Sequence, residues 1–411
     1  MEVRLNRSTR PTGPASETST WSPARSLDHA IPSETEVLIV GGGPAGLAAA
    51  IALRQRGIEC IVAEALSPAI DKACGEGLAP DSRESLARLG VRLDETDGHC
   101  FRGIRFENVH HRVDAEFASG LGIGVRRPRL HTRLAARAEE AGVHLLWNSR
   151  VQLPARESRS RSDGHAVTID GRRVRCRWLV GADGQASSIR RWAGLDRARK
   201  QSLRFGIRAH YRVAPWSDYV EVHWGRHGQL YVTPVAGDCV CVAYVARDPR
   251  PDRAGFLGEF PGIARRLQGA GIVSRQRGGA SATRKLYRVA DDSVALIGDA
   301  SGSSDCITGE GLAVSFRQAM ALAESIHSGS LAPYRRAHRR IGRLPHAMGA
   351  LMLTLDRWPG LQSRAIPALA SNPILFRELL SAHTGDRSLA SVLLRRAPRF
   401  GWSLLAGGVQ A

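Results

Sequence analysis

At 411 residues the chain can bury a large core, and 43% hydrophobic residues is ordinary for a soluble globular protein. The formal net charge of +19 is carried almost wholly by Arg, the only lysines being Lys72, Lys200 and Lys285. The arginines form no basic stripe interleaved with aromatics, so no nucleic-acid partner is expected. The seven cysteines are scattered, with no Cys-x-x-Cys pair, which argues against a disulfide framework and a zinc site and fits a reducing cytoplasm. No stretch approaches the roughly eighteen apolar residues of a membrane span.

The first thirty or so residues are rich in Ser, Thr, Pro and Arg and read as a disordered tail. Order begins with a buried strand at 36–40. A glycine turn, a helix over 47–56 and a second strand over 58–63 complete a βαβ unit. A loop over 66–80 follows, then a helix over 82–89 and short strands near 104–106 and 113–117. A helix over 130–141 leads to a strand at 143–147. A polar surface hairpin is expected at 155–164 and a buried strand at 177–181. From Leu203 to Val245 the alternation of β-branched and aromatic residues predicts antiparallel strands at 203–213, 219–224, 229–235 and 239–245. A helix near 254–267, a strand at 285–289 and a buried strand at 294–297 come next. From about residue 312 the chain reads as helices broken at Pro345, Pro359, Pro367 and Pro373. Pro234 within a strand implies an edge or a bend.

Three segments carry chemistry. The first is Gly41-Gly-Gly43-Pro44-Ala45-Gly46, with Glu64 at the end of the second strand. Gly41 permits a tight turn, Gly43 admits a pyrophosphate and Gly46 lets helix and strand pack closely. The helix N-terminus offers N–H groups to phosphate, and Glu64 suits a ribose diol. The second is Gly181-Ala-Asp183-Gly184, which ends a buried strand and opens a helix. The third is Gly298-Asp299 followed by Thr308-Gly309-Glu310-Gly311-Leu312. Asp299 at a strand end needs a partner to offset its desolvation. Backbone N–H groups at a glycine-rich helix start stabilise developing negative charge. Taken alone, each of the last two is also readable as a plain turn or helix cap.

In this order the three segments resemble the flavoprotein superfamily of para-hydroxybenzoate hydroxylase, geranylgeranyl reductases and flavin-dependent halogenases. The resemblance spans roughly residues 36–330. It implies an α/β fold, with a Rossmann-like FAD-binding domain, an antiparallel substrate domain and a helical C-terminal region. The expected boundaries are a tail over 1–34, FAD-binding segments over 35–100, 121–200 and 291–330, substrate-domain segments over 101–120 and 201–290, and C-terminal helices over 331–411.

It implies FAD as cofactor and NAD(P)H as a transient donor, since no second glycine fingerprint exists. The implied cofactor-binding residues are Gly41, Gly43, Pro44, Ala45, Gly46, Glu64, Ala65, Cys74, Gly75, Arg127, Asp183, Gly184, Gly298, Asp299, Gly309, Glu310, Gly311 and Leu312. Asp183 would lie near the pyrophosphate and Asp299 on the ribityl chain. Arg127 opens the helix that resembles the family's Arg-x-x-Leu start. Lys72-Ala-Cys74-Gly75-Glu76-Gly77-Leu78 and the Gly-Glu-Gly loop are most similar to the geranylgeranyl-reductase-like branch. Cys74, Glu76 and Cys306 are the candidate catalytic residues, expected to face the flavin. Lys72 is read as a surface or FAD-facing lysine.

The expected activity is that of an FAD-dependent oxidoreductase. Oxygen-dependent hydroxylation of a hydrophobic, aromatic small molecule is narrowly favoured. Saturation of isoprenoid double bonds is the alternative, followed by halogenation or a non-catalytic flavoprotein. The protein is expected in the cytoplasm. Two readings stand for the basic end of the chain, 330–411: a helical cap, and a peripheral contact with anionic membrane.

Overall fold

The computed structural model describes residues 31–155, 164–247, 257–392 and 394. The expected tail up to residue 30, most of the 155–164 hairpin and the basic aromatic end at 395–405 lie outside them.

The elements in chain order are β1 (Glu34–Val40), α1 (Pro44–Arg54), β2 (Cys60–Ala63), β3 (Gly77–Leu78), α2 (Pro80–Arg88), β4 (His99–Phe101), β5 (Gly103–Glu107), β6 (Arg112–Glu116), β7 (Gly122–Gly124), α3 (Arg127–Glu140), β8 (His144–Leu146), β9 (Val151–Gln152), β10 (His165–Ile169) and β11 (Arg172–Gly181). They continue with α4 (Ser188–Trp192), β12 (Ala198–Arg212), β13 (Tyr219–Trp224), β14 (Gly228–Ala236), β15 (Cys239–Ala246), α5 (Pro261–Arg266), β16 (Arg277–Leu286) and β17 (Val294–Leu296). Helices α6 (Gly311–His327), α7 (Ala332–Ile341), α8 (Arg343–Arg357), α9 (Pro359–Ala370) and α10 (Pro373–His383) complete the series.

Val37, Leu38 and Ile39 are wholly buried because β1 lies inside the first sheet, covered on both faces. That sheet runs β8-β2-β1-β11-β10-β9, with β17 beside the far half of β11. The strands β8, β2, β1, β11 and β17 are parallel, so their C-terminal ends share one edge. Gly41, Glu64, Ala182 and Gly298 follow those ends, at the place where open α/β sheets bind ligands.

The second sheet runs β16-β12-β15-β14-β13-β5-β6. It is antiparallel except for β13 beside β5. The 15-residue β12 draws its neighbour out along its length, so β16 spans Arg277–Leu286 rather than the expected 285–289. Pro234 lies in an inner strand, where the register shifts between Pro234 and Ala236, so it marks a bend and not an edge. One face of this sheet packs on α9 and α10 through Phe106, Val222, Trp224, Ile366 and Phe376.

Two of the expected helix breaks are not breaks. Pro345 sits in the first turn of α8, where a missing N–H costs nothing, and Pro367 lies inside α9. Pro359 and Pro373 do open new helices. The helix expected at 254–267 is described only as Pro261–Arg266, residues 254–256 lying outside the described set. Among the described residues, no helix is long and apolar enough to cross a membrane.

Candidate active site

A cavity of about 1520 Å³ runs from the C-terminal edge of the first sheet to the space between the second sheet and α8–α10. That exceeds the roughly 300–1,000 Å³ usual for one small ligand. Its first half is shaped by backbone. Gly41 turns the chain at φ 113°, and a Cβ on it would lie 2.4 Å from the Ala182 carbonyl oxygen. A Cβ on Gly46 would lie 1.9 Å from the Gly41 oxygen, so turn, helix and β11 touch. Gly43 differs: nothing lies within 4 Å of where its Cβ would sit. It caps α1 without any side-chain hydrogen bond, and the helix start opens into the cavity.

Glu64 is held by two backbone donors, Gly42 N at 2.7 Å and Leu66 N at 2.9 Å. Beneath the glycine turn, the buried His131 ring contacts the Gly42 carbonyl at 2.9 Å. A carbonyl only accepts, so Nε2 carries the proton. Burial pushes this imidazole down to about 4, keeping it neutral. Ser187 caps α4, accepting from Arg190 N at 2.9 Å, and one carboxylate oxygen of Asp183 accepts from Ser188 N at 2.6 Å and Ser188 Oγ at 2.8 Å. Its other oxygen, Oδ1, is buried with no partner, beside the cavity.

The third segment departs from its expected form. Asp299 does not end a strand: β17 stops at Leu296, and Asp299 sits in a 3₁₀ turn over Gly298–Ser301. Its side chain is one-third exposed and pairs with Lys72 Nζ at 2.8 Å, so desolvation is milder than the sequence implied. Gly298 N donates to Gln318 Oε1 at 2.9 Å, which ties the turn to α6.

The loop that follows is clamped from the second sheet. Buried Arg204 on β12 reaches Asp305 at 3.1 Å and Asp356 of α8 at 2.6 Å. Thr283 donates to Asp305 at 2.9 Å, and the Tyr231 hydroxyl donates to the Ile307 carbonyl at 3.0 Å. Gly309 takes φ 70°, and both Gly309 and Gly311 have open space where a Cβ would project.

Every predicted cofactor-binding residue except Gly46 borders the cavity, Arg127 included. Cys74, Glu76 and Cys306 border it too. Glu76 is nonetheless no free acid. Its carboxylate is completely buried, accepting from Arg127 N at 2.9 Å and His210 Nε2 at 2.6 Å. The other ring nitrogen of His210 faces Arg208 Nη1 at 3.0 Å, and arginine only donates, so the proton lies on Nε2. Arg208 also binds Asp71. This cluster braces the 71–76 loop and the start of α3. Glu76, His210 and Cys241 are compact enough to hold an ion. The Arg208 guanidinium already supplies the positive charge there. Cys306 is exposed where it borders the cavity, its Sγ 3.9 Å from Asp305 Oδ1.

Sequence reading missed Arg204, Arg208, His210 and His131. The first three had a signal: with Gly206 they occupy alternate positions of one strand, a polar face at period two. His131 had none, since only folding sets α3 under the glycine turn.

The orphaned Asp183 oxygen, the uncapped start of α1 and the open sides of Gly43, Gly309 and Gly311 leave room and partners for a dinucleotide. The model of the FAD-binding domain family matches residues 34–248. The chain belongs to this FAD-binding family. It is an FAD-dependent oxidoreductase of the superfamily named above. The flavoprotein is 28% identical over 356 residues to a menaquinone reductase of Mycolicibacterium smegmatis, covering 79% of this chain and 86% of that one. It is 26% identical to a digeranylgeranylglycerophospholipid reductase of Methanosarcina mazei, covering 67% and 71%. A 3-(3-hydroxy-phenyl)propionate/3-hydroxycinnamic acid hydroxylase of a Mycobacterium species matches at 30%, but over only 40% of this chain and 30% of that one. Among solved structures, a flavoprotein/dehydrogenase from Cytophaga hutchinsonii shares the fold with TM-score 0.74 at 20% identity, covering 85% and 92%.

Proposed function

We propose that this flavoprotein reduces a carbon–carbon double bond of an isoprenoid lipid. The observation that carries the reading is the far half of the cavity. Phe106, Val222, Leu355, Leu369, Phe376 and Leu380 wall it between the second sheet and α8–α10. An apolar tunnel of this kind takes a lipid tail, whose transfer from water supplies roughly 25 cal/mol per Å² buried. The reductase relatives cover 79% and 67% of this chain, whereas the hydroxylase named above covers 40% of it. The proposal therefore departs from the hydroxylation that the sequence narrowly favoured.

In this reading Gly43 and the start of α1 hold the pyrophosphate, Glu64 the adenosine ribose, Asp183 a pyrophosphate-side hydroxyl or water, and Asp299 the ribityl chain. Arg127 lies along the phosphates. The Gly309–Gly311 amides face the flavin's pyrimidine edge. Bound FAD, once reduced, would supply hydride to one carbon of the double bond, a solvent-derived proton completing the addition at the other, and NAD(P)H is the proposed transient donor. Arg204 and Asp305 fix the loop, and the apolar helices exclude water from the reacting bond. Exposed Trp358 and Ile374, on the helical side, are the proposed contact with a lipid surface.

The experiment is an anaerobic incubation of the purified yellow protein with NAD(P)H and a polyprenyl lipid. A product heavier by two hydrogens supports reduction. A product formed only with oxygen and heavier by one oxygen overturns it.

A further inference from the structure

One group in the cavity is unaccounted for by cofactor geometry. The Glu310 side chain is only 6% exposed, and both carboxylate oxygens are buried with no hydrogen-bond partner. Three charged or titratable groups face it from three elements. His383 of α10 places Nδ1 3.7 Å from Glu310 Oε2. Asp81 of α2 and Arg317 of α6 flank it, paired with each other at 3.5 Å, and Arg317 Nε is itself buried without a partner. An ionised carboxylate so poorly solvated is costly. Burial outweighs Arg317 and pushes the acid up to about 8, and the Asp81 carboxyl is raised too. Burial holds His383 down, toward its neutral form. Glu310 is thus an acid with an O–H to give and nothing in the protein to receive it.

Its position says what would receive it. Along α10, Phe376, Leu379, Leu380 and His383 follow helical spacing, and all four line the cavity. The stripe is apolar until its last residue, which meets Glu310. The apolar tunnel therefore ends at a polar pole made of an acid and an imidazole.

We propose that Glu310, set in place beside His383, binds the head of the lipid, and that this head is a neutral carbonyl-type acceptor such as a quinone oxygen rather than an anionic phosphate. The neutral carboxyl donates to a carbonyl oxygen. A phosphate would be set against two carboxyl groups, Glu310 and Asp81, and would force its charge into a site where charge is costly. The inference rests on the reading of the cavity as a lipid site, and it assigns which end of the lipid enters and what chemistry that end carries.

The test is equilibrium binding to the FAD-loaded full chain, followed by tryptophan fluorescence. The ligands are a short-chain prenylated naphthoquinone, the matching prenyl hydrocarbon and the matching prenyl phosphate. The quinone is expected to bind about tenfold more tightly than the hydrocarbon at pH 7, and the phosphate no more tightly than the hydrocarbon. The quinone's advantage should fade as pH rises from 7 to 9.5 and Glu310 ionises. Glu310→Gln, which keeps a donor but cannot ionise, should retain the advantage and make it independent of pH. Glu310→Leu should abolish it while hydrocarbon binding persists. Equal affinity for quinone and hydrocarbon, tighter binding of the phosphate, or an unchanged pH profile in Glu310→Gln overturns the proposal. The wild-type pH profile decides even if a variant misfolds. Failure of all three ligands to bind would instead defeat the lipid-site reading itself.

Discussion

The two halves of the cavity are built by different means. At the glycine turn the wall is backbone, contributed by the 41–46 turn and by Ala182 at the end of the neighbouring strand, and its shape depends on the absence of side chains. Around the 303–310 loop the wall is made by charged and polar side chains from β12, β14, α8 and α10, more than a hundred residues apart in places. The first half therefore tolerates no added atom where backbone meets backbone. The second tolerates no lost partner.

The largest effect should come from breaking the assembled half. Arg204→Leu leaves Asp305 buried without its guanidinium, while Asp356 keeps Arg247, and a broken buried ion pair costs about 3–5 kcal/mol. Urea denaturation should show this loss. A cost below about 1 kcal/mol would mean that the clamp contributes little.

The glycine-turn half should respond to added volume. Gly46→Ala presses a methyl group against the Gly41 carbonyl, an overpacking worth about 1–3 kcal/mol, with loss of the 450 nm flavin absorbance. Gly43→Ala meets no protein atom, so its stability should stay within about 0.5 kcal/mol of wild type while flavin retention falls. Equal loss of stability in both variants would erase the distinction between a packing glycine and a ligand-facing one.

Acid should reach both halves through two buried imidazoles. His131 under the glycine turn and His338, which contacts Ser301 Oγ at 2.9 Å, are both pushed down to about 4 by burial. The unfolded chain takes up these protons near pH 6.5 and the folded chain only near pH 4. Stability is therefore complete above 6.5 and lost progressively as pH falls from 6.5 toward 4. Tm measured across that window should fall, and His131→Gln should flatten part of the slope.

The smallest effect is expected at Lys72→Ala. The lysine is half exposed, so its pair with Asp299 contributes less than about 1 kcal/mol to stability. A larger loss would make that contact a structural strut.

Much of the site was legible before folding, for a physical reason. A phosphate-binding turn needs particular glycines at fixed spacing, and a βαβ unit needs a regular alternation of apolar runs, so both leave a local trace. Gly41, Gly43, Asp183 and Gly309 were singled out this way, and the structure sets each against one cavity. Glu76 and Glu310 show the limit of that reading. The motif named both, but their neighbours decide their state: His210 and the Arg127 amide engage one, while nothing relieves the other.

The sequence by itself determined the parallel βαβ core, the antiparallel run from Leu203 to Val245 and the three segments that meet at one sheet edge, because backbone conformation and strand burial are encoded over a few residues. Tertiary structure alone decided that Asp299 leaves its strand to pair with Lys72, that β12 carries the arginine clamp, and that His383 meets Glu310 at the end of an apolar helix face. Those facts depend on which distant side chains share a desolvated space; the alternation along β12 marks a polar face but does not record its partners.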